Sequence, residues 1–331
     1  MFETWLGRRV LVTGGLGFIG SNLVLELVSH GAQVTVIDRT GGQYGGDLRN
    51  VDSVAHQIVL RDADIRDSQA LAECVPEHEI IFCLAGQVSH SNSMTDPLTD
   101  LDINCRASLQ LLEICRQSNP DARLIFTSTR QVYGRPQTCP VDEHHPLCPV
   151  DVNGISKVAA EHLLRLYWEV HGIRSISLRL TNTYGPRMDL KSPGRGFINV
   201  CLGQALRGDV VSLFDSGDQQ RDFTFVADVV QALMLAARQQ SGWGAAYNLS
   251  HPEPCSLRKF VSVLSQFIDV RVEQVPFPPD RRAIEVGDYW GNSNRFRQLT
   301  GWVAKTGLEE GLRETVQFFL QHHHSNRLAI C

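Results

Sequence analysis

The stretch Val12-Thr13-Gly14-Gly15-Leu16-Gly17-Phe18-Ile19-Gly20 limits the fold more than any other part of the chain. An apolar run, RRVLVTG, leads into it, and a periodic run, FIGSNLVLELVSHG, leads out and closes at Gly31. The spacing predicts a strand, a tight glycine turn and a helix. Glycines at 14, 17 and 20 let the backbone turn sharply and let another group come close to the start of the helix. Such a start carries free N–H groups and positive partial charge, a binding site for a pyrophosphate.

The runs that follow keep the same alternation. AQVTVIDR, HQIVLRDADI, EIIFCLAG, ARLIFTST and RSISLRLTN read as strands. PLTDLDINCRASLQLLEICRQ reads as one helix, and a second continues from DVNGISK through VAAEHLLRLYWEV. This order predicts an α/β chain with a Rossmann-type, doubly wound parallel sheet. Near Thr181 the sequence becomes rich in Pro and Gly, which points to a smaller C-terminal lobe interleaved with the first. The expected division is 1–180 plus about 222–250 for the dinucleotide side, about 181–221 plus 251–320 for the substrate side, and 321–331 as tail.

Asp38 ends the second strand, where a carboxylate takes two ribose hydroxyls and repels a 2′-phosphate. NAD is therefore the expected cofactor, with Arg39 beside the aspartate acting against that preference. The formal charge of -5 gives no reason to expect nucleic acid or an anionic membrane as partner. No apolar run is long enough to span a bilayer, and the N-terminus lacks the order of a signal peptide. Nine scattered cysteines without a C-x-x-C pair favour reduced thiols in a cytoplasmic protein and no metal site. His322 to His324 read as part of a solvated tail.

TGGLGFIG, DADIRD, LAGQVSHSNSMTDP, FTSTRQVYG, NGISK, LRLTNTYGPR, GDQQRDFTFVADV and LTGWVAKTGLEEGLRETVQFF occur in that order over nearly the whole chain. Together they resemble the extended short-chain dehydrogenase/reductases, particularly the nucleotide-sugar epimerases and dehydratases. The resemblance implies a nucleotide-sugar substrate and a transient oxidation of a sugar hydroxyl by tightly held NAD⁺. It implies cofactor contacts at Gly14, Gly17, Phe18, Ile19, Gly20, Asp38, Arg39, Asp64, Ile65, Leu84, Ala85, Gly86, Asn104 and Lys157. On the substrate side it implies Gln87, Arg130, Asn182, Arg221 and Arg282, with Arg281 as an alternative to Arg282. Arginine suits a diphosphate because its planar fork pairs two oxygens and stays charged. A homodimer through the helices around Leu101–Cys115 and Ile155–Tyr167 is also implied.

One position departs from the pattern. Such enzymes use a tyrosine as proton carrier four residues before a lysine, with a Ser or Thr on the same substrate oxygen. Here Thr129 and Lys157 match, and Asn153 stands in place of the tyrosine. A carboxamide does not titrate near neutral pH, so Asn153 orients a hydroxyl or a water and is not the base. Replacement proton carriers to weigh are Glu143, His144, Lys157 through water, Cys83, Cys105 and Cys139. Tyr133 and Tyr167 read as structural. The 4,6-dehydratases carry an Asp-Glu pair after the Thr; Arg130 and Gln131 stand there instead, which disfavours that mechanism. Arg130 also suits a carboxylate, as on a uronate sugar. The expected reaction is epimerisation, with an unusual dehydratase or a non-catalytic NAD- and nucleotide-sugar-binding protein as alternatives.

Overall fold

The computed structural model describes residues 4–41, 44–190, 196–278 and 282–327, with side chains described as far as position 322. The first half runs β1 (Arg9–Thr13), α1 (Phe18–Ser29), β2 (Gln33–Asp38), β3 (Ile58–Asp62), α2 (Ser68–Cys74), β4 (Ile80–Cys83), α3 (His90–Thr95), α4 (Pro97–Leu101), α5 (Ala107–Ser118), β5 (Arg123–Thr129), α6 (Val152–His171) and β6 (Arg174–Leu180). The second half runs β7 (Asn182–Tyr184), α7 (Phe197–Arg207), β8 (Val210–Phe214), β9 (Gln220–Arg221), β10 (Phe223–Phe225), α8 (Val226–Ala237), β11 (Ala245–Leu249), β12 (Cys255–Ser256), α9 (Leu257–Leu264), β13 (Arg271–Val275), α10 (Asn294–Thr300) and α11 (Leu308–Arg327).

Seven strands form one sheet in the order β3-β2-β1-β4-β5-β6-β11, every pair parallel. Both faces are covered, which is why the central strands β1 and β4 read as near-continuous apolar runs rather than alternating ones. Val10, Val12, Phe82 and Ile125 pack on one face with Leu23 and Leu27 of α1 and Val230 and Leu233 of α8. Leu11, Ile81, Leu124 and Phe126 pack on the other with Leu71, Leu111, Leu112 and Leu164 of α2, α5 and α6. The fold is the doubly wound α/β architecture expected. The strand order reverses between β1 and β4, so the loops after these two strands border the crevice where such sheets bind ligands.

After β6 the chain builds a second core from Tyr184, Leu202, Leu213, Phe223, Phe260, Val261 and Leu312. It then returns through α8 to the first core and through β11 to the sheet edge beside β6. A buried network clamps α6 in place. Arg179 of β6 donates through Nη2 to Glu161 Oε2 at 2.6 Å and through Nη1 to Tyr133 Oη at 2.7 Å. Tyr133 in turn donates to Asn248 Oδ1 of β11 at 2.7 Å, in keeping with its structural reading. Burial and the neighbouring carboxylates push the Tyr133 phenol up to about 12, so it is no base at neutral pH.

Two local features differ from the sequence reading. The helix expected as continuous from Pro97 is interrupted over Asp102–Arg106 by a wider, π-helical turn. That turn holds Asn104 inward, where its Nδ2 donates to the Gln87 carbonyl at 3.0 Å. At the C-terminus, α11 continues to Arg327 and takes in positions assigned to the tail. No helix among the described residues is long and apolar enough to cross a membrane.

Candidate active site

At the switch point the two loops touch. Gly14 has φ +74°, and a Cβ there would lie 2.6 Å from the Ala85 backbone nitrogen. A Cβ on Gly20 would overlap the Gly14 carbonyl, so the first turn of α1 packs directly on the glycine loop. Ala85 N donates to Thr13 Oγ1 at 3.3 Å, and Leu84 N to the Thr13 carbonyl at 3.1 Å. Gly17 caps α1 with no side-chain hydrogen bond, and the first turn, from Phe18 and Ile19, holds no acid. The helix N-terminus is therefore open to an anion.

Asp38 ends β2 beside this loop. Its Oδ2 accepts from Leu16 N at 2.8 Å, and burial raises its carboxyl to about 6. Asp64 follows β3 and is gripped by Arg66 at 2.8 Å and by Arg39 at 3.2 Å. The Arg66 hydrogen bonds hold the Asp64 carboxyl down at about 2. Arg39 thus has an acidic partner of its own. Ile65 packs against the core under β3. These residues fit a dinucleotide: an open helix end, close-packed glycines, and two carboxylates at the ends of neighbouring strands.

Deeper in, the first two turns of α6 bring Asn153 and Lys157 beneath the loop after β4. Asp151 caps the helix, its Oδ1 accepting from Gly154 N at 2.7 Å. Lys157 is buried, donates to the Thr127 carbonyl at 2.9 Å and lies 4.6 Å from the Phe126 ring centre. Burial lowers its ammonium to about 8, with Asp100 pulling the other way. A Cβ on Gly86 would stand 2.9 Å from Asn104 Oδ1 and 3.3 Å from Lys157 Nζ, so only glycine leaves these groups their approach. The buried Asn104 Oδ1 has no protein partner. It is an acceptor waiting for a donor.

Asn153 turns inward. Its Nδ2 donates to the Gln87 carbonyl at 2.8 Å and to Asp100 Oδ2 at 3.1 Å, so its donors are committed and only Oδ1 remains to orient a ligand. Asp100 is completely buried, and its Oδ1 has no partner. The sequence reading passed over this acid, because nothing local distinguishes it from a helix-surface aspartate. Gln87, assigned to the substrate, instead folds its side chain onto its own loop, donating to the Ser89 carbonyl at 3.0 Å and accepting from Ser89 N.

Thr129 ends β5, and its Oγ1 accepts from Gln131 N at 3.2 Å. Arg130 lies next to it, 5.1 Å from the Tyr289 ring centre, with a buried Nη1 that has no hydrogen-bond partner. Arg221 is buried, and its guanidinium is held by Glu285 at 2.9 Å and by the carbonyls of Gln220 and Gly287. Burial, with Arg130 nearby, lowers Arg221 to about 10. Asn182 donates to the Asp222 carbonyl at 3.0 Å. Arg282 is not brought in: its side chain is 62% exposed and 3.6 Å from Asp215. Arg281 lies outside the described residues.

The expected proton carriers fare poorly. Glu143 Oε1 accepts from Asn248 N at 2.8 Å and serves β11. The His144 side chain is 90% exposed beside Asp142. Burial raises the thiols of Cys83, Cys105 and Cys139 above their usual range, away from thiolate chemistry. Tyr167 donates to Glu113 across α5 and α6. One further group was not anticipated. His90, the first residue of α3, places Nδ1 2.9 Å from Oδ2 of the buried Asp151, with the ring N–H angled off the oxygen.

The chain matches the family described as GDP-mannose 4,6 dehydratase over residues 11–315. It is 31% identical to a putative UDP-glucose 4-epimerase of Methanocaldococcus jannaschii, over 93% of this chain and 97% of that protein. It is 30% identical to UDP-glucuronic acid decarboxylase 1 of Xenopus tropicalis, over 97% of this chain and 75% of that one. Among solved structures, the NAD complex of the Thermus thermophilus UDP-glucose 4-epimerase superposes with a TM-score of 0.83 at 30% identity, covering 95% of this chain and 99% of that one. These relatives differ in reaction, so the family's name does not fix the reaction of this chain. What it fixes is descent and architecture: the chain belongs to the GDP-mannose 4,6-dehydratase family of extended short-chain dehydrogenase/reductases.

Proposed function

We propose that this protein is an NAD-dependent nucleotide-sugar epimerase that oxidises a sugar hydroxyl transiently and returns the hydrogen to the opposite face. The observation that carries the reading is the placement of the open α1 N-terminus, Asp38 and Thr129 at the same end of one parallel sheet, with Lys157 against Thr127 and Gly86. The pyrophosphate rests on the α1 N-terminus, Asp38 takes the adenosine ribose, and Asp64 with Ile65 holds the adenine. NAD supplies the hydride acceptor. Lys157 and Asn104 orient the nicotinamide side, Thr129 the reacting hydroxyl, and Asn153 Oδ1 a hydroxyl or water. Arg130, with its unmatched buried donor, meets the diphosphate or a sugar carboxylate. The Arg-Gln pair after Thr129 provides neither acid nor base for loss of water, which favours epimerisation over dehydration.

Purified protein is to be incubated in deuterated water with UDP-, CDP-, GDP- and dTDP-sugars, uronates included. Epimerisation gives a new sugar of unchanged mass. Loss of water or of carbon dioxide would identify a dehydratase or decarboxylase. Binding without any change would identify a non-catalytic sugar-nucleotide binder.

One carboxyl and one amine set a pH window for the cofactor. Asp38 accepts ribose hydrogen bonds once ionised, above about 6, and Lys157 donates while protonated, below about 8. NAD association with the empty protein therefore strengthens as pH rises through about 6 and weakens as it rises through about 8. Titration calorimetry from pH 5 to 9.5 tests this, with Asp38→Asn removing the acid limb and Lys157→Met the alkaline one. A flat profile counts against the assignment.

We further propose a homodimer through the helical segments around Leu101–Cys115 and Ile155–Tyr167, which belong chiefly to α5 and α6 and on which Leu101, Ile155 and Leu166 are 43%, 53% and 49% exposed. Light scattering is expected to give twice the 36.9 kDa chain mass, and Ile155→Asp to halve it.

A further inference from the structure

With Asn153 in the tyrosine position, the proton of the reacting hydroxyl needs another carrier. The groups around the crevice can be eliminated in turn. Asp100 is sealed between α4 and α6 with no exposed surface. Lys157 is protonated below about 8 and serves as donor to the Thr127 carbonyl and to the cofactor, and the Tyr133 phenol is bound by Arg179 and Asn248. Glu143, His144 and the three thiols are engaged elsewhere, exposed away from the crevice, or held protonated.

His90 is placed differently. It begins α3 at the end of the loop whose Gly86 lies against Asn104 and Lys157 and whose Gln87 carbonyl holds Asn153. Its partner Asp151 caps the helix bearing Asn153 and Lys157, and Gln131, two residues beyond Thr129, reaches the same Asp151 oxygen at 3.4 Å. The Asp151 side chain is fully buried and the His90 side chain is 31% exposed. Nδ1 is thus within hydrogen-bond distance of the Asp151 carboxylate, needing only a turn of the ring to align its N–H. Among the described residues, no group hydrogen-bonds Nε2.

We propose that His90, oriented by Asp151, is the general acid/base that replaces the missing tyrosine. This rests on the epimerase reading above. In the forward half, the sugar O–H proton moves to His90 Nε2 as the C=O bond forms from the O–H electron pair. The hydrogen on that carbon leaves as hydride to NAD⁺. The carboxylate of Asp151 balances the resulting imidazolium. In the return half the hydride adds to the other face of the ketone, and Nε2 gives the proton back to the oxygen. Asp151 is a positioning residue: a carboxylate beside Nδ1 favours the tautomer with the proton there, which leaves the Nε2 lone pair free to accept one.

The test uses the full chain and two variants. Asp151→Asn keeps a good helix cap while removing the charge, and His90→Gln keeps the polarity while removing the titration. The histidine-ring ¹⁵N spectrum of the NAD-bound protein should show His90 protonated on Nδ1 in the wild type, with a shift toward the Nε2–H tautomer in Asp151→Asn. With the sugar nucleotide that the wild type epimerises, His90→Gln should lower kcat about 100-fold or more, with KM and NAD affinity within about threefold. Asp151→Asn should lower kcat less, in step with the tautomer shift. An active wild type whose His90→Gln variant keeps kcat within about fivefold overturns the histidine assignment alone. So does a loss of kcat matched by an equal loss of sugar-nucleotide affinity. A wild type inert toward every sugar nucleotide overturns the functional reading, and the acid/base role falls with it, even if the ring tautomer is as expected.

Discussion

Asn153→Tyr, which restores the family's usual side chain, is expected to lower turnover about 100-fold rather than raise it. The asparagine is nearly fully buried, and its Nδ2 holds the Gln87 carbonyl and Asp100 together. A phenol ring does not fit the space of a carboxamide, and overpacking of this kind costs about 1–3 kcal/mol. The new side chain also removes the donor to Asp100, whose other oxygen already lacks a partner. Most of the kinetic loss comes from displacement of the loop from Gly86 to His90, because a shift of about 1 Å in a reacting group can cost about 100-fold. Steady-state kinetics on the epimerised sugar, beside a thermal melt, measures both effects. A rise in turnover would mean that Asn153 is only a lost tyrosine and that the site has not been rebuilt around it.

Lys157→Met should reduce kcat/KM by about 10²–10³-fold. Methionine preserves most of the volume over the Phe126 ring and removes only the charge, so the substitution isolates electrostatics from packing. Without a tyrosine to activate, the lysine's remaining tasks are to bind the cofactor ribose and to supply positive charge where oxygen turns into a carbonyl. It also lies near Asp100, which loses its counter-charge in the variant, and the melting temperature should fall with the activity. A variant within about threefold of wild type in kcat/KM would remove Lys157 from the site.

The parts of the site that were legible in sequence are those held by local geometry. Gly14 and Gly20 could be placed because no Cβ fits where strand, turn and helix meet. Asp38 follows from its position at the end of a strand, while Asn153 and Lys157 were marked out by the family resemblance of NGISK. The illegible parts depend on contacts between distant segments. Asp100 looks like a surface residue until α4 packs on α6, and His90 looks like a loop histidine until α3 meets the cap of α6. Gln87 and Arg282 carried the right chemistry for a ligand, yet one folds onto its own loop and the other points to solvent. Glu143 shows the same limit: a loop carboxylate whose acceptor is used by the β11 backbone.

The claim of transient oxidation with return to the same carbon is tested most directly by isotope. A nucleotide sugar that the protein converts is to be prepared with deuterium on the carbon whose configuration changes, and the product analysed by NMR and mass spectrometry in ordinary water. Hydride removal and return predict that the epimerised product keeps the deuterium on that same carbon. Washout of the label to solvent would contradict it, because the carbon would then have lost a proton rather than a hydride.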